Sequence, residues 1–117
     1  MYLFNHYPKC STCQKAKKWL EAQGVEFEAR HIVEVNPTAE ELTEWITASG
    51  QPVKKFFNTS GLKYKELGLK DKLPAMSEEE QLRLLASDGM LVKRPLAICD
   101  DFVLVGFKEA EWVKKLQ

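Results

Sequence analysis

Apolar positions divide the first third of the chain into three pieces. Tyr2-Leu3-Phe4 is a short apolar run that predicts a strand. Cys13, Ala16, Trp19 and Leu20 follow the i, i+3, i+6, i+7 spacing of one helix face, and Gly24 stops that helix. Val25, Phe27 and Ala29 then alternate with Glu26, Glu28 and Arg30, which predicts a strand with one wet face ending near Ile32-Val33. Strand, helix, strand over about 30 residues is a βαβ unit, with parallel strands and a right-handed crossover.

Asn36-Pro37 breaks the chain, and the middle changes to the helical period. Thr38 with Glu41, and Ser77 with Glu80, have the spacing of a capping box. Each heads an apolar helix face: Leu42, Trp45 and Ile46 in the first, Leu82, Leu85 and Ala86 in the second. Gly50 ends the first helix and Asp88-Gly89 the second. Between them, Pro52 starts a turn with Val53, Phe56 and Phe57 pointing inward, and Asn58-Thr59-Ser60-Gly61 is a loop. Tyr64 and Leu67 mark a short helix ended by Gly68, and Leu73-Pro74 is a break. The period then drops to two: Leu96–Cys99 and Phe102–Val105 read as a β-hairpin around Asp100-Asp101. Trp112, Val113 and Leu116 mark a final helix. The order is βαβ, a helical insertion over about 38–88, then ββα, in a single domain over residues 1–117. Trp19, Trp45 and Trp112 all lie on apolar helix faces and are assigned to the core.

With 117 residues, one domain is expected. A chain of this size buries about two thirds of its unfolded surface, enough for a core without staples. Seventeen basic residues balance 17 acidic ones, so net charge gives no pull toward nucleic acid or an anionic membrane. No run approaches a membrane span. Met1–His6 lacks the basic and long apolar regions of a signal peptide, so a cytoplasmic location is expected. In that compartment a CxxC is catalytic or metal-binding rather than a structural bridge. Lys15, Lys17, Lys18, Lys54 and Lys55 are read as solvated faces open to an acidic partner.

Cys10 and Cys13 stand between the first strand and the first helix, so Cys10 is placed at the helix N-terminus and Cys13 one turn further in. The unpaired N–H groups there, those of Ser11, Thr12 and Cys13, favour an anion. A thiol in that position is lowered from about 8.5 toward the roughly 3.5–7.5 of reactive cysteines. Lys9 is expected to push the same way. Two thiols one turn apart suit a reversible intramolecular disulfide. A zinc site needs two further ligands, and Cys99, His6 and His31 form no paired motif, so no bound metal or cofactor is expected. Cys99 is read as a buried strand residue.

Three motifs carry a family resemblance. Tyr7-Pro8-Lys9-Cys10-Ser11-Thr12-Cys13, then Lys55-Phe56-Phe57-Asn58-Thr59-Ser60-Gly61, then Lys93-Arg94-Pro95-Leu96 followed by Val105-Gly106-Phe107, resemble the arsenate reductase (ArsC)/Spx family in type and order. The resemblance covers essentially the whole chain. It implies an α/β, thioredoxin-like fold with a four-stranded mixed sheet, in which Pro95 is cis and faces the reactive cysteine. It implies Cys10 as nucleophile and Cys13 as resolving cysteine. The reductases bind the arsenic oxyanion with three arginines. Arg94 matches one, and the other two positions fall at Asn58 and Gly106. His6 aligns with a histidine near the nucleophile. The reductases usually carry serine at the position of Cys13, whereas the CxxC is like the Spx branch of redox-sensing regulators that bind RNA polymerase.

The expectation is therefore a thiol–disulfide oxidoreductase of this family, acting on a small oxyanion or a protein disulfide, with weak arsenate turnover. Its electron donor would be glutathione with glutaredoxin, or thioredoxin. The alternative is an Spx-like regulator binding RNA polymerase. Spx-like regulators continue past the last helix, and the end of this chain at Gln117 favours the enzyme.

Overall fold

The computed structural model describes residues 2–116. β1 (Tyr2–His6) lies inside the sheet, parallel to β2 (Phe27–His31) on one side and antiparallel to β3 (Leu96–Ile98) on the other. β4 (Val103–Val105) pairs antiparallel with β3, so the strand order is β2-β1-β3-β4. This is the expected four-stranded mixed sheet, and α1 (Ser11–Ala22) connects β1 to β2.

Successive strand residues face opposite sides of a sheet, and the chain uses this to build two apolar layers. Phe4, Ala97 and Leu104 face one side, where they meet Ala16 and Leu20 of α1 and Trp112 of α6 (Glu109–Leu116). Leu96 and Val103 face the other. That side is covered by α2 (Ala39–Ser49), α3 (Leu62–Glu66), α4 (Leu69–Lys72) and α5 (Glu78–Ser87), with single 3-10 turns at Val53–Phe56, Leu73–Ala75 and Gly89–Leu91. Leu42, Trp45, Phe56, Phe57 and Leu85 from this block pack over Ile32. Each such side chain, fully buried, contributes about 1.5–3 kcal/mol. Both capping boxes form: Glu41 N–H donates to the Thr38 hydroxyl at 3.1 Å, and Glu80 N–H to the Ser77 hydroxyl at 3.1 Å.

Several local expectations are corrected. The short helix expected around Tyr64 and ended by Gly68 is α3, but Gly68 (φ +63°) also caps a further short helix, α4, that the pattern did not predict. Three strands are a residue or two shorter than their apolar runs, β2 stopping at His31, β3 at Ile98 and β4 starting at Val103, whereas β1 runs two residues past Phe4 to His6. Trp19 is only half-buried, on the rim of the α1–α6 layer against Trp112 and Phe107. Val113 is exposed, leaving Trp112 as the buried anchor of α6. In β2, Ala29 is exposed while Arg30 turns inward, because β2 is the edge strand and Arg30 finds a partner in α2. Its guanidinium grips the Glu41 carboxylate at 2.6 and 2.8 Å and lies 5.7 Å from the Trp45 ring centroid. Among the described residues no helix is long and apolar enough to cross a membrane.

Candidate active site

The end of β1 leads into Tyr7-Pro8-Lys9, a turn closed by Cys10 N–H donating to the Tyr7 carbonyl at 2.9 Å. Cys10 has an extended backbone (φ −81°, ψ 123°) and is the N-cap of α1. The Thr12 and Cys13 N–H groups at that helix start act on its sulfur. Burial works against a thiolate there, but the Cys13 N–H, the Cys13 thiol, the Thr12 N–H and the Arg94 charge outweigh it. The Cys10 thiol therefore lies below its ordinary value. Lys9 is exposed, and the cation that acts on Cys10 is Arg94, which corrects the expectation for Lys9.

Cys13, one turn further in, is 1% exposed. Burial, its bond to Cys10 and the Cys10 charge push its thiol up to about 12, against the opposing pull of the Tyr7 N–H and Arg94. All three cysteines are free thiols. Cys99 sits at the far end of the sheet: it follows Ile98, which pairs with Leu3, whereas Leu96 pairs with Asn5 near the Cys10 end. Burial and Asp100 push the Cys99 thiol up to about 12.

Arg94 comes from the loop before β3, and its bond to Pro95 is cis. Its Nη1 donates to the Met90 carbonyl at 3.0 Å, and its guanidinium lies 5.2 Å from the Tyr7 ring centroid. With the Asn58 amide oxygen turned toward it, both Nη atoms lie 3.3 Å from that oxygen. Backbone bonds hold the segments bearing Asn58 and Arg94 side by side: Asn58 N–H to the Leu91 carbonyl at 2.8 Å, and Lys93 N–H to the Phe56 carbonyl at 2.7 Å. Gly89 permits this placement. A Cβ there would overlap the Ile32 carbonyl, so only glycine lets the turn carrying Met90 press against the end of β2. Gly106 N–H donates to the Pro95 carbonyl at 2.8 Å and takes a left-handed conformation (φ +73°).

A cleft of about 590 Å³ opens beside Cys10. Its lining includes Thr12, Asn58, Arg94 and Gly106, so the three positions expected from the resemblance to hold an oxyanion lie in one cleft with Cys10, and they carry one arginine, one amide and one glycine. Of the other residues singled out from the sequence, Cys13, Ser11, His6 and Pro95 do not line it. Ser11 is exposed at the first position of α1. His6 is buried on the α1–α6 side, 5.2 Å from the Phe4 ring. Burial first, then Lys17 and His31, lower its pKa. Pro95 is buried behind the loop.

Sequence reading missed the role of Tyr7, whose ring carries Arg94 on one side and meets His31 edge-on at 5.7 Å. Three lysines, Lys63, Lys93 and Lys108, also line the cleft. Lys93 opens the third motif and Lys108 directly follows it; nothing in the sequence marks Lys63. Among the described residues no group of three or more His, Cys, Asp or Glu side chains could hold a metal ion.

Residues 5–115 match the model of the ArsC family. The uncharacterized protein YusI of Bacillus subtilis (strain 168) is 60% identical over 109 residues, covering 93% of this chain and 92% of that one. The regulatory protein MgsR of the same organism is 31% identical over 111 residues, covering 95% of this chain and 86% of that one. The crystal structure of an ArsC family related protein from Bacteroides fragilis superposes with a TM-score of 0.96 at 63% identity, over 99% of this chain and 97% of that one. With the thioredoxin-like sheet and the Cys10–Arg94 cleft in place, this match over nearly the full length makes the chain a member of the ArsC family.

Proposed function

We propose that the chain is a thiol–disulfide oxidoreductase in which Cys10 is the nucleophile and Cys13 the resolving cysteine. One observation carries this reading: two thiols one turn apart have opposed environments, Cys10 held below its ordinary pKa and Cys13 pushed up to about 12. The first is ready to attack and the second is held in reserve.

The Cys10 thiolate attacks one sulfur of a substrate disulfide. A Cys10–substrate S–S bond forms, the substrate S–S bond breaks, and the other substrate sulfur leaves as a thiolate. Tying up Cys10 removes two of the causes that keep Cys13 protonated, its bond to Cys10 and the Cys10 charge, while the Tyr7 N–H and Arg94 continue to favour its thiolate. Cys13 then gives its proton to solvent and attacks the Cys10 sulfur. The second substrate thiolate is released and a Cys10–Cys13 disulfide remains. The substrate has gained two electrons, which a dithiol donor, thioredoxin or glutaredoxin with glutathione, returns to the protein. A small oxyanion is a weaker substrate, because Asn58 and Gly106 offer no charge where bidentate cations would be needed.

A Cys13→Ser chain stalls at the first step. Incubated with cell extract, it is expected to accumulate mixed disulfides on Cys10, resolved by mass spectrometry after non-reducing electrophoresis. Equal accumulation on a Cys10→Ser chain would remove the proposal. The similarity to the regulatory protein MgsR favours a second reading, in which the Cys10–Cys13 disulfide switches binding to RNA polymerase. Retention of polymerase by one redox form alone, in a pull-down from extract, is the result that selects it.

A further inference from the structure

The cleft at Cys10 is larger and more basic than exchange between two thiols requires. At about 590 Å³ it is in the range of organic ligand pockets. A tetrahedral oxyanion, the size of a few waters at about 30 Å³ each, would leave most of it unfilled. Four cations, Arg94, Lys63, Lys93 and Lys108, line it, and no acidic residue does. Lys63 is itself exposed and meets half-buried Asp88 only at 4.0 Å, a weak pairing. Glu111 lies only in the adjoining groove, which shares Lys93, Val105 and Lys108 with the cleft and runs on to Lys55. The basic lining thus continues out of the cleft as far as Lys55, as an extended occupant needs. Leu62 at the cleft is 78% exposed, an apolar contact that an oxyanion does not use. Lysine ammonium groups on flexible stems suit carboxylates on a mobile segment better than the fixed geometry of a small anion.

We infer that the substrate of Cys10 is a disulfide-bonded cysteine within an acidic, extended protein segment, its flanking carboxylates taken by Lys63, Lys93 and Lys108 and one apolar side chain by Leu62. This rests on the thiol-exchange reading above and names its substrate class. The covalent step is the one already written: the Cys10 thiolate forms the new S–S bond, and the partner sulfur leaves as a thiolate.

The test uses the full chain carrying Cys13→Ser and Cys99→Ser, so that reaction stops at the first bond. Three peptides each carry one cysteine activated as a 2-thiopyridyl disulfide, flanked by Asp and Glu, by Ser, or by Lys. Release of 2-thiopyridone reports the rate. The acidic peptide is expected to react about tenfold or more faster than the basic one at low salt, with the ratio shrinking as salt rises. In Lys63→Glu, Lys93→Glu, Lys108→Glu combined, the order of the peptides is expected to reverse. Equal rates for the three peptides, or an order unchanged by the triple substitution, would overturn the inference. The neutral reagent 2,2′-dithiodipyridine separates it from its foundation. No faster reaction of Cys10 than of an unstructured cysteine peptide at pH 7 defeats the thiol-exchange reading. Fast reaction without a peptide preference defeats this inference alone.

Discussion

Arg30 and Arg94 occupy two similar cages with opposite consequences. Each guanidinium lies against an aromatic ring, Trp45 at 5.7 Å and Tyr7 at 5.2 Å. Each donates to backbone carbonyls, Arg30 to Val35 and Asn36 and Arg94 to Met90. The difference is the side-chain partner. Arg30 has the Glu41 carboxylate at 2.6 and 2.8 Å, whereas Arg94 has the neutral Asn58 amide. In the first cage the charges cancel, and the Arg30 bond chiefly holds the Glu41 carboxyl down at about 2 despite partial burial. That cage staples β2 to α2. In the second, a positive charge is left over, and it acts on the Cys10 and Cys13 sulfurs. Two arginines with nearly the same contacts are thus told apart by the charge of a single partner.

The largest expected effect comes from removing the anion that Arg94 faces. Cys10→Ser is expected to lose about a thousandfold or more of the exchange rate with any activated disulfide, since a hydroxyl at its ordinary pKa is a poor nucleophile. A stopped-flow assay of 2-thiopyridone release measures it, and residual exchange through Cys13 would mean the roles are reversed.

Next in size is the staple. Arg30→Ala leaves a half-buried carboxylate without its cation and is expected to cost about 2 kcal/mol in urea unfolding. Arg94→Ala is expected to cost less than about 1 kcal/mol, because only neutral partners are abandoned. Equal losses would erase the contrast. The same pair sets a pH signature. The Glu41 pKa is depressed on folding, so its contribution is complete above the ordinary carboxylate value of 4.5 and is lost as pH falls through about 2. In Glu41→Gln the stability measured between those values should fall less steeply with acid than in the parent chain.

A smaller effect separates the forces on Cys10. In a Cys13→Ser, Cys99→Ser background, Arg94→Ala is expected to move the midpoint of iodoacetamide alkylation against pH upward. The rate at pH 7 should fall about tenfold or less, because the Thr12 and Cys13 N–H groups still act on the sulfur. An unmoved midpoint would place Arg94 outside the site's electrostatics. Arg94→Lys is expected to show the smallest change. It keeps the charge near Cys10 but loses the planar fork that reaches Met90 and Asn58 together.

Much of the fold was legible because its signals are local. The two capping boxes, the helix face of Cys13, Ala16 and Leu20, and the late hairpin each depend on residues a few positions apart. The failures share a cause as well. The pattern puts Arg30 on a wet strand face and Trp19 inside the core; that Arg30 turns inward and Trp19 sits at the core rim depends on neighbours distant in sequence, Glu41 and Trp45 for the first, Phe107 and Trp112 for the second. Within the candidate site, the position of Cys10 at a helix start is legible, but the cation that acts on it is Arg94 rather than adjacent Lys9, because proximity along the chain is a poor guide to proximity in space.

By itself the sequence determined the βαβ start, the helical middle, the ββα end and a CxxC at the first helix, since hydrophobic period and capping chemistry act over one or two turns. Only the tertiary structure decided which charges the thiols feel. It brought Asn58, Arg94 and Gly106 to one cleft with Cys10, and it added Lys63, Lys93 and Lys108. It set Tyr7 beneath Arg94, and through Gly89 it seated the turn whose Met90 carbonyl holds that guanidinium. Hydrogen bonds to a sulfur need direct contact, and Coulombic effects weaken with distance in space rather than along the chain, so both are fixed by how separate segments pack and cannot be read from residue spacing.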